Sequence, residues 1–281
     1  QPEAAAAASA GTNAGALFLT PDRRWGQPIP EEAFARFHDW ADTYRAADAS
    51  GRAALETEGA QLAAARRQAL VELIQRDPER ALELTVPIGV RRELPASVVS
   101  QLEERVSGHG DLAVLGVLPE PGKENQVRPT IRTVRIGERE FDAYVYGWRL
   151  GEPTRTGIPV HGIAVNNSMA VSANAVRILE PEEAAAAKAK QGEAVCSVSG
   201  QSSTIVGEEV AAEIGAEVTF YCRRAHAEKT NDQITAAEGG APGPTDAGST
   251  PEAPTWTEGL KKVILIRVDF PDLTNAPLSD A

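Results

Sequence analysis

The run Val263-Ile-Leu-Ile-Arg-Val-Asp-Phe270 constrains this chain more than any other stretch. It is apolar and rich in β-branched residues, interrupted only by Arg267 and Asp269. That is the composition of a strand buried on both faces of a parallel or mixed sheet. Such a strand needs a neighbour on each side and a packed layer above and below. Only eleven of the 281 residues follow Phe270. Residues 256–281 are therefore expected to open a domain whose remaining strands and reactive centre lie in further polypeptide.

The residues before that strand carry cores of their own. A length of 281 residues suggests two or three small domains, at roughly 100–200 residues each. Hydrophobic residues make up 42% of the chain but aromatics only 5%, so the cores should be small and closely packed. A net charge of −12 argues against nucleic acid as a partner, because phosphate recognition needs clustered Lys and Arg. No apolar run approaches the ~20 residues of a membrane span. The opening Gln-Pro-Glu-Ala-Ala-Ala-Ala-Ala-Ser-Ala-Gly resembles a mature N-terminus left by removal of a signal peptide. An exported, secreted or cell-surface location is expected.

Periodicity divides the chain. Residues 1–30 form a disordered or irregular tail punctuated by Pro21, Pro28 and Pro30. Phe34, Phe37, Trp40, Ala41 and Tyr44 recur at helical spacing, and Gly51 to Arg76 is the strongest helix in the sequence. Asp77-Pro78 ends it and starts another, with Asp77 as N-cap and Pro78 in the first turn. Leu94-Pro95 begins a further helix with Val98, Val99, Leu102 and Val106 inward and Gly108 or Gly110 closing it. These segments make a helical unit at 31–110.

From 111 to 180 the period changes to two, over strands at Leu112–Leu118, Ile131–Ile136, Phe141–Leu150, Gly157–Val165 and Ser168–Leu179. Asn166-Asn167 supplies the positive-φ positions of a tight hairpin. A small antiparallel β-barrel or sandwich, OB-like, is expected here. Residues 181–238 read as a charged, Ala-rich helical connector followed by a compact β-rich patch. Gly239 to Pro254 is rich in Gly, Pro, Ser and Thr, so 239–255 is a flexible linker and a first site for proteases. The fold class is α+β, multidomain.

The candidate chemistry is sparse. Cys196 and Cys222 are the two cysteines, and both fall in the β-rich patch. In an exported protein the simplest reading is one disulfide. Closing that loop would stabilise the fold by ~3.5 kcal/mol in the chain-entropy account. The alternative is a metal site, since Cys222 and His226 are four residues apart and Cys196 could add a third ligand, although no C-x2-C pair occurs. The histidines at 38, 109, 161 and 226 are scattered, and no H-E-x-x-H, G-x-S-x-G, P-loop or dinucleotide fingerprint is present. Ser107-Gly-His-Gly-Asp111 reads as a turn rather than a His109–Asp111 dyad. Glu103-Glu104 and Glu182-Glu183 read as solvated helix faces. No catalytic, cofactor or metal residue is assigned.

The terminal segment Trp256-Thr-Glu-Gly-Leu-Lys-Lys-Val-Ile-Leu-Ile-Arg-Val-Asp-Phe-Pro-Asp272 resembles the opening strand of the catalytic domain in secreted bacterial metallopeptidases of the immune inhibitor A type. Asp77 to Leu84 and Leu94 to Leu112 resemble the N-terminal region of large exported bacterial proteins carrying such domains. The specific match spans about seventeen residues. The resemblance implies that residues 1–255 are a propeptide-like region. Zinc would then reside only in the downstream catalytic domain, and that domain would be the partner, with cell-surface components as a further one. It carries no catalytic residue onto this chain, because the zinc ligands and general base are not in it. The competing class is a surface or matrix module with a structural, adhesive or glycan-binding role. Tyr144, Tyr146 and Trp148, set by alternation on one face, suggest it, although such a face is more often core than platform.

Overall fold

A computed structural model describes residues 20–116, 130–191, 195–200 and 210–239. The expected linker, the Val263–Phe270 strand and a strand at Ser203–Val206 lie outside the described residues, as do residues 1–19.

The helical unit forms as its periodicity predicts. After a short α1 (Pro21–Arg24), α2 (Glu32–Ala46) buries Phe34, Phe37, Trp40, Ala41 and Tyr44, the whole apolar stripe. The long α3 (Ala49–Arg76) starts where the Asp48 carboxylate accepts the Gly51 amide at 2.8 Å. Asp77 then caps α4 (Pro78–Glu83), accepting from the Arg80 amide at 3.0 Å with Pro78 in the first turn. Phe37, Trp40 and Leu62 pack with Val90 of α5 (Ile88–Glu93) and Val98 of α6 (Ala96–Val99). A Cβ on Gly59 would land on the Trp40 indole, so α2 and α3 meet at a point where only glycine fits.

The helix expected to run through Val106 stops at Val99. Glu104 already belongs to a strand, β1 (Glu104–Gly116), and Gly108 and Gly110 lie inside it instead of ending a helix. Val106, Gly108, Gly110 and Leu112 face inward along β1. Crowding explains the glycines. A Cβ at Gly110 would sit 2.9 Å from the Arg135 carbonyl oxygen and the same distance from Ile136 Cγ1. Gly110 is also the pivot of the barrel. β1 pairs with β4 (Arg155–Val165) from Glu104 to Leu112, with a register shift after Gly110, and with β2 (Thr130–Ile136) from Gly110 to Gly116.

With β3 (Arg139–Tyr144) and β5 (Ser168–Val171), these strands close in the order β1-β2-β3-β5-β4. The barrel is mixed rather than all antiparallel, because β3 and β5 run parallel, Asp142 opposite Ser168. Asn166 has φ 55° and turns β4 into β5, as its sequence position predicts. Phe141, Ala143 and Val145 fill the interior with Val134, Val160 and Met169. Tyr144, Tyr146 and Trp148 are the other parity and are half-buried. They do not continue one strand, since a 3-10 turn at Gly147–Gly151 follows β3. The Trp148 Nε1 donates to the Ala173 carbonyl at 2.7 Å.

Helices and barrel share a core. Ile163 and Val165 of β4 and Ala170 of β5 pack on Phe34, Leu70, Leu73 and Ile74. Beneath them Arg66 donates to Glu103, with side-chain exposures of 2% and 0%.

Residues expected to extend the last barrel strand split instead. β6 (Val176–Ile178) leaves the barrel and joins a separate sheet, β6-β7-β8, with β7 (Val210–Ile214) and β8 (Glu217–Tyr221). The connector is helical, as expected, forming α7 (Pro181–Gln191). A helix that sequence reading did not anticipate, α8 (Arg224–Ala237), covers this sheet through Ala227 and Ile234. Among the described residues no helix is long and apolar enough to cross a membrane. Helices, a mixed β-barrel and a second small sheet together make an α+β protein.

Candidate functional site

The two cysteines meet at one end of the second sheet. Cys196 forms a parallel bridge with Phe220 of β8, and the Ser197 amide donates to the Phe220 carbonyl at 3.1 Å. Cys222 leaves the end of β8, and His226 lies in the first turn of α8. The expected disulfide is not formed. Both thiols are free, with sulfurs 3.7 Å apart, against about 2.05 Å for a bond. The imidazole stands beside both: His226 Nδ1 is 3.4 Å from Cys196 Sγ and 3.5 Å from Cys222 Sγ. On the far side of the ring, Arg223 Nε donates to His226 Nε2 at 2.9 Å. Burial would raise the Cys196 pKa, but hydrogen bonds from Ser199, the Cys222 backbone and His226 bring it down to about 5. A thiol so placed carries thiolate character at neutral pH.

A second site was not legible in the sequence. A cavity of about 470 Å³ opens where α1, α4, the barrel and the second sheet meet. Leu82, Ile88, Ile163 and Val176 give it an apolar side. An ion-pair lattice also lines it, in which Arg177 binds Glu183 at 2.9 Å and Glu213 at 2.6 Å. Arg105 bridges Glu180 and Glu183 in the same lattice. His161 of β4 also lines this cavity, buried, and its Nε2 has no hydrogen-bond partner. Burial, then the charges of Arg177 and Arg149, push its pKa down to about 3, so the ring is neutral. Burial likewise raises the pKa of Tyr146, on the same wall. The Ser107 hydroxyl there is spent on the Gly215 carbonyl, to which it donates at 2.9 Å.

Compared with protein-family models, with curated proteins and with solved structures, this chain finds no match.

The remaining sequence candidates stand apart. His38 contacts the Trp25 carbonyl oxygen through Nε2 at 2.6 Å and stacks on the Trp25 ring. His109 is exposed on β1, where its ring lies against Gly215. Asp111 does not address His109. It accepts from Arg135 at 2.8 Å and from the Gly157 amide at 3.0 Å. These residues are on a strand, not in the turn that the glycines suggested. Glu103 is no solvated helix residue either: it is buried and paired with Arg66 and Arg91. Glu104 sits on β1, pairing with Arg139. Glu183, beside Glu182 on α7, closes the lattice around Arg177. His161 could have been suspected, because it is the one ionisable side chain in the otherwise apolar run Ile158–Val165.

Proposed function

We propose that residues 20–239 are the body of a non-catalytic N-terminal region of an exported zinc-metallopeptidase-like precursor, acting in folding, latency or surface positioning. One observation carries this reading. Each of the five barrel strands has a neighbour on both sides, so the barrel offers no edge to the apolar strand at Val263–Phe270. Among the described residues only the small sheet β6-β7-β8 keeps open edges, and on this reading the strand pairs instead within further polypeptide. The segment that supplies it resembles the first strand of a peptidase domain. On this reading the zinc ligands and the general base lie downstream, and cleavage within 239–255 separates the two parts.

The barrel itself is OB-like. Support comes from the strand order, from the parallel β3–β5 closure, and from a long β1 shared between β2 and β4. Such barrels bind many things, so the likeness argues architecture and not ligand. A steric role would work through exposed apolar surface. Leu115 of β1 and Ile131 of β2 are directly opposed and 54% and 46% exposed.

Reading the coding sequence onward from Ala281 tests the proposal. An H-E-x-x-H motif downstream is expected, and a stop codon in its place would contradict it. The latency version makes a further demand: residues 1–255 added to the mature catalytic domain must lower its peptidase activity.

A further inference from the structure

We propose that Cys196, Cys222 and His226 hold a zinc ion that ties the 195–200 segment to the corner between β8 and α8. Zinc bonds of ~2.3 Å to sulfur and ~2.05 Å to imidazole nitrogen, set at tetrahedral angles, place two sulfurs ~3.8 Å apart and each sulfur ~3.6 Å from the nitrogen. The three separations here are 3.7, 3.4 and 3.5 Å. A disulfide would need the sulfurs far closer. A simple thiol–imidazole hydrogen bond would bring the nitrogen to one sulfur and leave the other aside. Near-equal distances from one Nδ1 to both sulfurs fit a shared central ion best.

Each ligand is held by a different piece of structure. Cys196 is placed by its bridge to Phe220 and by the turn in which the Gly200 amide donates to the Cys196 carbonyl at 2.9 Å. Cys222 follows the last residue of β8, and His226, four positions on, comes back over it on the first turn of α8. Three protein ligands leave a fourth tetrahedral position, which water fills. Because the ligands join a short segment to a sheet and a helix, binding should add directly to the stability of this part of the fold.

Arg223 gives the proposal a handle. Its Nε–H now donates to His226 Nε2, which places the ring proton on Nδ1, where the ion would sit. With zinc on Nδ1 the proton must move to Nε2, and two donors would then face each other. Arg223 is exposed, so its side chain can swing into water as the ion enters. A carboxylate in its place would instead accept from Nε2–H, the usual support for a metal-bound histidine.

The test uses the full chain, purified with reductant and without chelator. Metal analysis should find one zinc per chain. Cobalt added to the stripped chain should give the intense near-ultraviolet absorption of thiolate-to-cobalt charge transfer. Cys222→Ser and His226→Ala should lose both signals. Should those variants fail to fold, Arg223→Glu keeps every ligand and is expected to tighten cobalt binding about tenfold. Reduced chain that takes up neither zinc nor cobalt at micromolar concentration would overturn the proposal. So would cobalt binding without the charge-transfer band, or binding that Arg223→Glu weakens or leaves unchanged.

Discussion

Arg66 of α3 and Glu103, the residue just before β1, form an ion pair with both side chains buried. Glu103 also accepts the Val86 amide at 2.8 Å and pairs with Arg91. Burial alone would raise its pKa, but Arg66, Arg91 and the Val86 amide hold it at about 2. The pair joins the helical unit to the start of the barrel, so its loss should loosen both. Glu103→Gln leaves two guanidinium groups without a counter-charge and should cost ~3–5 kcal/mol at neutral pH. The sign with pH follows from the depressed pKa: the stabilisation is present above the unfolded value of 4.5 and lost as pH falls toward 2. Denaturant unfolding at several pH values checks this. The parent and Glu103→Gln should differ most near pH 7 and converge in acid.

His161 predicts a second window. Its folded pKa, about 3, lies below the ordinary 6.5, so stability is fully present above pH 6.5 and declines as pH falls toward 3. One such group adds a slope of up to ~1.4 kcal/mol per pH unit. His161→Gln should flatten the stability profile between pH 6 and pH 4. Equal slopes in parent and variant would mean that the ring already takes up its proton in the folded chain.

Gly59 sets two effects against each other. Alanine in place of glycine inside a helix favours the helix by ~1 kcal/mol. Its methyl group would overlap the Trp40 indole, which is 5% exposed and pinned by its Nε1 donating to the Leu55 carbonyl at 3.1 Å. Overpacking of this kind costs ~1–3 kcal/mol, so the overlap should win. Gly59→Ala is expected to lower the melting temperature, and Gly59→Val to lower it further.

Regular elements were legible where one face is apolar and the other wet. The stripe from Phe34 to Tyr44, the Asp77-Pro78 boundary and the Asn166-Asn167 hairpin are all local signals, and each appears where the residues place it. The start of β1 was not legible. Its inward positions are Val106, Gly108, Gly110 and Leu112, and glycines on the core face erase the alternation that marks a strand. Val98, Leu102 and Val106 happen to share a helical spacing, which extended the helix reading past its true end. The buried charges were hidden for a related reason. Arg66, Glu103 and Glu183 carry the chemistry of solvated residues, and only long-range packing brings each its partner. The Cys196, Cys222 and His226 cluster was half legible: spacing linked Cys222 with His226 and left Cys196 as a possible third ligand behind the disulfide reading, and only coordinates put one nitrogen beside both sulfurs.

The barrel closes through β1-β2-β3-β5-β4 without Val263–Phe270, and thermal unfolding of the chain ended after residue 255 tests the independence of the two most directly. Cooperative unfolding at the melting temperature of the whole chain, with unchanged far-ultraviolet circular dichroism from the helices, is the predicted result. A truncated chain that unfolds many degrees lower, or shows no cooperative transition, would place the terminal strand inside this fold and contradict the account.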